Sequence, residues 1–353
     1  MIDAIGEGWS LLLVGLAGGI LLGLAARLGR FCTMGAIEDM LYGGSSLRMR
    51  MWVLAIGLSV LGVHGMQLAG LFDPAASFYL STRWVPLASI LGGLAFGYGM
   101  ALAGNCGYGA IARLGGGDLR AFVIVLVMGI SAFLCLSGPF AHLRVLIFPQ
   151  EALLPGDMPP GIAAWAGGLT GLPPALPGLA IGLAITLAAL ASREMLARPG
   201  AIVWGGVVAL AVLSAWAGTQ YIADHGFAAA QVTSHSFAAP VGETLLYAML
   251  GSSGAPGFGV GSVAGVILGA FAGSLIKGHF RWEACEDPRE LRRQIAGAAL
   301  MGAGAVVAAG CTIGQGVSAF SVLAFSAPVT FAAILAGAAL GLRQLIAGFS
   351  TVE

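Results

Sequence analysis

Charge is what this sequence has least of. Lys, Arg, Asp and Glu make up 9% of its 353 residues, against roughly 25% in a soluble globular protein. The 16 basic and 16 acidic residues cancel and are scattered, which argues against nucleic acid as a partner. The first ten residues, MIDAIGEGWS, lack a basic n-region, so no cleavable signal peptide is expected. Cysteine is sparse, with five residues and no CxxC, so a thioredoxin-like redox pair has no support. No cysteine and histidine fall at zinc-finger spacing, and the five histidines are dispersed. No metal or other cofactor is expected, and nothing in the pattern marks an enzyme.

Apolar residues fill the space that charge leaves. The chain is 58% hydrophobic with a mean hydropathy of +0.93, more apolar surface than a soluble fold of this length can bury. Lipid is therefore the solvent. A span needs about 20 apolar residues, and nine such runs can be drawn, at about 9–28, 52–71, 86–104, 121–141, 175–192, 201–218, 257–277, 294–310 and 324–343. Four shorter segments, roughly 31–44, 105–116, 236–250 and 311–320, are rich in Gly, Ser, Thr or Pro. They read as re-entrant pieces, because irregular backbone at membrane depth survives only where protein or a polar cavity covers it. The expected fold is an all-α polytopic membrane protein, a single transmembrane domain over 1–353 with about nine transmembrane helices and four re-entrant segments. The stretch 145–174 is rich in Pro and Gly, and its apolar piece around Trp165 suits a helix lying flat in the interface. Many of the 57 glycines recur at four-residue spacing, as in Gly15, Gly19 and Gly23 or Gly261, Gly265, Gly269 and Gly273, the pattern that lets membrane helices approach closely.

Shifting the chain by 205 residues superposes its halves. Cys106 falls on Cys311, Gly92 on Gly297, Gly97 on Gly302, Gly99 on Gly304 and Gly109 on Gly314; Glu38, Leu41 and Tyr42 fall on Glu243, Leu246 and Tyr247. Repeat one covers about 1–145, a linker and connecting helix about 146–200, and repeat two about 201–345. One connecting span turns the second repeat upside down, the plan of many secondary transporters, whose broken helices meet at mid-membrane around the substrate.

Three of the five cysteines sit at the short segments, in GRFCTMGAIED, AGNCGYGAIA and AGCTIGQGVSA. Small or polar residues follow each one, so a helix can start there. A helix N-terminus favours an anion and, for the same reason, thiolate over thiol. Read this way, Cys32, Cys106 and Cys311 are candidate substrate contacts. Asn105, Gly107, Tyr108, Thr33, Thr312, Gln315 and Ser318 surround them, several with neutral donors. The competing reading is that a buried cysteine is simply a small hydrophobe. That reading suits Cys135, inside a regular span, and Cys285, in the charged loop RWEACEDPRE. Glu38, Asp39 and Glu243 are either functional intramembrane carboxylates or interface residues paired with arginines such as Arg27 and Arg30.

At GRFCTMGAIED (29–39), GNCGYG (104–109) and GCTIGQGVSA (310–319) the chain resembles the YeeE/YedE family of sulfur-transport membrane proteins, which import thiosulfate. The resemblance covers nearly the whole chain. It implies an hourglass-like inverted repeat and a relay of thiosulfate by S–H···S contacts through Cys32, Cys106 and Cys311. It also implies short helices aimed at the anion, and a cytoplasmic TusA-like sulfur carrier as partner. The second repeat has Phe237–Ala238 where Cys32 stands in the first, so the route has three thiols rather than four. Another small sulfur or selenium species, or a membrane sulfurtransferase, are the alternative functions.

If the four short segments do not cross, 14 of the 16 basic residues sort to one side and only Arg83 and Arg144 to the other. Basic residues mark the cytoplasmic side, so the expected location is the cell inner membrane, with the N-terminus periplasmic and the C-terminus cytoplasmic. A C-terminal reporter should then be active only in the cytoplasm, and an N-terminal tag should be reachable from outside intact cells. A cytoplasmic N-terminus would overturn the span order and the inverted repeat with it.

Overall fold

A computed structural model describes residues 6–149, 151–152, 160–226, 230–284 and 287–348. The protein is an all-α polytopic membrane protein. Long helices alternate with short ones in the order α1 (Glu7–Arg27), α2 (Thr33–Leu41), α3 (Leu47–Leu68), α4 (Pro86–Ala103), α5 (Gly107–Gly115) and α6 (Leu119–Leu136). Then follow α7 (Ile162–Thr170), α8 (Ala175–Leu190), α9 (Pro199–His225), α10 (Ala239–Leu250), α11 (Phe258–Ile276) and α12 (Pro288–Val307). A helix at 312–321, here α13, contains a π-helical turn at Gly314–Ala319, and α14 (Ser326–Ala347) ends the described fold.

Among the described residues, seven helical stretches are long and apolar enough to cross a membrane, with α4 and α5 counted together as one stretch. The α7–α8 pair, bent by 117°, makes an eighth if it is taken as one span. The nine runs read from the sequence all form helices, but two fall short of that standard. Helix α8 has only 16 residues. Helix α12 has 20, and its first two turns hold Arg289, Glu290, Arg292 and Arg293, whose desolvation opposes burial in hydrocarbon. The apolar piece around Trp165 is α7, a nine-residue helix joined to α8 through the bend. The four short segments are the helices α2, α5, α10 and α13.

Glycine sets how these helices pair. Along α1, Gly15, Gly19 and Gly23 meet the carbonyls of Phe258, Ser262 and Val266 on α11; reciprocally, Gly261, Gly265 and Gly269 meet those of Leu12, Leu16 and Ile20. The rising numbers on both sides make α1 and α11 parallel. Helices α3 and α9 are parallel by the same test, with Gly205 against Leu54 and Gly62 against Leu213, as are α4 and α14, with Gly93 against Ala333 and Gly97 against Ile334. Helices α4 and α12 are antiparallel, since Gly92 faces Gly304 and Ala308 while Gly99 faces Gly297 and Met301. In the α1–α11, α4–α14 and α4–α12 pairs backbone touches backbone, the contact that lipid cannot supply and small residues allow; in α3–α9 the glycines receive leucine side chains.

The parallel α1 and α11 also define two ends of the molecule. Leu11, Phe258 and Gly259, at the beginnings of both helices, line one cavity of about 430 Å³. Arg27, Gly273 and Ser274, at their far ends, line another of about 690 Å³. From Gly259 to Gly273 along α11, at about 1.5 Å of rise per residue, the two cavity walls stand about 21 Å apart, roughly two thirds of a hydrocarbon core.

Gly265→Ala should therefore lower thermal stability by about 1–3 kcal/mol, the usual cost of overpacking. Its Cβ would stand 2.9 Å from Gly19 Cα, and backbone on both sides has nowhere to move. Gly168→Ala, on α7 with no atom within 4 Å of the new methyl, should be neutral or slightly stabilising. Thermal unfolding in detergent compares the two; equal stability would mean that the α1–α11 contact does not hold the fold.

Candidate functional site

The three short-segment cysteines share one local construction. Each follows, by two residues, a residue in the left-handed region: Arg30 at φ +54°, Gly104 at +76° and Ala309 at +54°. That turn ends the incoming helix. The cysteine then takes the N-cap position of the outgoing one, its carbonyl accepting the first helical hydrogen bond. Ala36 N donates to Cys32 O at 3.0 Å, Ala110 N to Cys106 O at 2.8 Å and Gln315 N to Cys311 O at 2.8 Å. A helix start leaves its first N–H groups without intrahelical partners and presents roughly half a positive charge. Helices α2, α5 and α13 all begin this way at a cysteine.

Two of the thiols accept from backbone N–H groups, Cys106 from its own helix start and Cys311 from the segment before α10. Cys106 Sγ accepts from Gly109 N at 3.3 Å. Cys311 Sγ accepts from Phe237 N at 3.3 Å and lies 3.7 Å from Ser236 Oγ. In accepting on sulfur, each thiol keeps its own S–H available to donate. Phe237 stands 205 residues after Cys32, so the position where the repeat would place a fourth thiol instead supplies a backbone N–H to the third.

The thiols lie between the two cavities. Ser236 and Gly310, which flank Cys311 in space and in sequence, line the 430 Å³ cavity. Cys32 and Asn105 line the 690 Å³ cavity. Cys106 lines neither and is fully buried; Cys311 is 1% exposed and Cys32 is half-buried. Both Cys32 and Cys311 lie within electrostatic reach of Cys106. The order along the axis is Cys311, Cys106, Cys32.

The polar residues singled out from the sequence divide into two groups. Thr33, Asn105 and Thr312 are buried, and Thr33 Oγ1, Asn105 Oδ1 and Thr312 Oγ1 have no hydrogen-bond partner among the described residues. The Thr312 hydroxyl stands near the Cys106 thiol without a well-formed bond to it. Unpaired buried polar atoms are costly, and three of them beside the three cysteines mark where a polar guest would be satisfied. The second group is already engaged. Tyr108 Oη donates to Leu22 O at 2.6 Å, and its ring packs 5.5 Å from that of Phe237. Gln315 Nε2 donates to Ala308 O and Ala309 O at 3.1 and 3.0 Å, pinning the left-handed turn, while its Oε1 accepts from Ser326 Oγ at 3.2 Å. Ser318 Oγ donates to His235 O at 2.7 Å, tying the π-helical turn to the segment that carries Phe237. Gly107 is spacing: a Cβ there would lie 2.6 Å from Met128 Sδ.

Two residues escaped the sequence reading. Ser236 lay beside the noted Phe237 but had no motif of its own. Tyr79, half-buried and within electrostatic reach of Cys311, comes from the four-residue helix Phe78–Ser81 in a connection between spans that carried no signal. Cys135 sits on α6, half-buried, and lines neither cavity; Cys285 lies outside the described residues. Of the carboxylates, Asp39 pairs with Arg48 at 3.1 Å rather than with Arg27 or Arg30. Glu38 is exposed, and Glu243 lines the 430 Å³ cavity.

Comparison with known proteins gives the family of the chain. The chain is 26% identical to the thiosulfate transporter TsuA of Spirochaeta thermophila over 321 residues, which covers 88% of this chain and 92% of the relative. It is 25% identical to the thiosulfate transporter TsuA of Escherichia coli over 335 residues, 87% of each. The model of the sulphur transport family matches residues 28–340, so the chain belongs to that family.

Proposed function

We propose that the protein carries thiosulfate across the cell inner membrane into the cytoplasm, intact, along the line Cys311, Cys106, Cys32. The observation that carries this reading is the convergence of three cysteine-capped helix starts on one buried line between two cavities. A dianion crossing a low-dielectric interior needs compensation. Helix N-termini and neutral hydroxyls give it without a fixed cation that would hold the ion too tightly. Sulfur is suited to the remaining contact, because the terminal sulfur of thiosulfate is soft and polarisable and an S–H donates to it weakly enough to let go. Both relatives are thiosulfate transporters by name, which supports the same substrate here.

The 205-residue repeat, with its boundaries near 145 and 200, supports alternating access through two related gates. The antiparallel course of α4 and α12, which correspond under that offset, favours an inverted arrangement. The cation-rich cavity at the Cys32 end favours a cytoplasmic exit, with the N-terminus periplasmic and the C-terminus cytoplasmic. The protein acts in this reading as a carrier rather than an enzyme, and a small cytoplasmic sulfur carrier of the TusA type is a fitting recipient.

Uptake of labelled thiosulfate into proteoliposomes holding only this protein tests the proposal. Cys106→Ala and Cys311→Ala should each cut uptake by at least about tenfold, the scale of one lost hydrogen bond to a charged group. Cys106→Ser should recover only part of it. Cys32→Ala should also impair uptake, while Cys135→Ala and Cys285→Ala should stay near the parent rate. Normal uptake in all three short-segment alanine variants, at equal membrane abundance, would return those cysteines to a packing role.

A further inference from the structure

The cavity at the Cys32 end gathers more positive charge than its surroundings neutralise. Arg27, Arg30, Arg48, Arg113, Lys277 and Arg281 line it, with Glu283 as the lining carboxylate. Two of these cations are paired: Arg48 with Asp39 at 3.1 Å and Arg281 with Glu283 at 2.7 Å. Arg27, Arg30, Arg113 and Lys277 have no carboxylate oxygen within 4.0 Å among the described residues. Asp118 and Glu283 act on Arg27 only from beyond pairing distance, and Arg113 repels it. Arg27 Nε is buried without a partner. Lys277 Nζ donates to Arg27 O at 2.8 Å and to Leu28 O at 3.1 Å, which fixes the ammonium to the wall. Burial, and then Arg30 and Arg27, hold that ammonium below its ordinary pKa.

Arg27 is held in place by a missing side chain. A Cβ on Gly116 would fall on Arg27 Nη2. Gly116 has φ −88°, a value any residue adopts, so its lack of a side chain serves the guanidinium rather than the backbone. The same cavity exposes Asn105, 2% accessible, with its amide oxygen unpartnered. Four unneutralised cations, one with a buried free N–H, around a space of about 690 Å³ call for a counter-ion. Guanidinium groups favour oxoanions with two or more oxygens in the plane of the fork.

We propose that this cavity is a second anion site for divalent tetrahedral oxoanions of the size of sulfate and thiosulfate, with Arg27 as principal ligand and Arg113 and Lys277 beside it. Its place in a transport cycle rests on the inward thiosulfate reading. There it receives the dianion leaving Cys32, and cytoplasmic sulfate in it slows further uptake. The site itself stands on binding, which can be measured without transport.

The test is equilibrium binding of labelled sulfate to the purified full chain in detergent, at fixed ionic strength set by chloride. The parent and Cys106→Ala should bind sulfate equally, because Cys106 does not line this cavity. Arg27→Gln and Arg113→Gln should weaken binding by about tenfold or more. Gly116→Ala, which keeps every charge but displaces the Arg27 guanidinium, should weaken it several-fold. If Arg27→Gln does not fold, as judged by thermal unfolding, Gly116→Ala and Lys277→Gln carry the test. No sulfate binding by the parent, unchanged binding in the arginine and Gly116 variants, or full displacement by a small excess of chloride would each overturn the site. Loss of sulfate binding in Cys106→Ala would place the ion at the thiols and overturn it equally. Intact sulfate binding with no thiosulfate uptake would leave this site standing and count against the transport reading alone.

Discussion

A helix that begins inside a membrane protein leaves N–H groups that water cannot reach. This protein begins three helices in that way, each at a cysteine, and much of its architecture follows from what those N–H groups require. Gly109 N is satisfied by the sulfur of its own cap, and Cys311 Sγ takes Phe237 N from the segment before α10. The remainder of each helix start points at its surroundings as a partial positive charge. The incoming chain must turn sharply to make such a start, which is why Arg30, Gly104 and Ala309 all occupy the left-handed region. For Arg30 and Ala309 that conformation costs about 1–2 kcal/mol, and the surroundings hold it. Gln315 clamps the carbonyls on either side of the turn at Ala309, and the Phe31 ring stacks on Trp52 with centroids 4.3 Å apart beside Cys32.

The long helices serve this centre by being thin. Glycine ridges bring α1 onto α11 and α4 onto α12 until backbones touch, and the short helices fill the space that remains. Helix α5 shows the economy of the arrangement. It opens at Cys106, packs Gly107 against Met128, fixes Tyr108 to Leu22 and is followed directly by Gly116, which admits Arg27. Nine residues of helix thus lie between the buried thiol and the glycine that admits Arg27 to the cationic cavity.

Much of this was legible in the sequence because it was written in residue types with one dominant physical meaning. Scarce charge meant lipid, glycine at four-residue spacing meant close helices, and cysteine at a break in apolar runs meant a helix start. What was not legible depended on partners chosen by the tertiary fold. Tyr108 and Gln315 looked like substrate donors, yet their polar ends are taken by Leu22, Ala308 and Ala309. The left-handed positions themselves are Arg30 and Ala309 rather than glycines, so residue type did not announce them. Asp39 finds Arg48 rather than the arginines nearer to Cys32 in sequence. Helix α12 extends the apolar run at 294–310 back to Pro288 and so begins with Arg289, Glu290, Arg292 and Arg293, a start that the run alone did not show. The role of Phe237 was hidden most completely, because its contribution is a backbone N–H and its side chain gives no hint of it.

The central claim is that the thiols pass an intact dianion from one to the next by hydrogen bonding, without keeping sulfur. Thiosulfate labelled in its terminal sulfur and thiosulfate labelled in its sulfonate sulfur distinguish this from covalent transfer in a single uptake measurement on proteoliposomes. Intact passage predicts that the two labels enter at the same rate and are recovered inside as thiosulfate, with no label left on the protein. Terminal-sulfur label retained on Cys106 or Cys311, with the sulfonate label released as sulfite, would contradict the account.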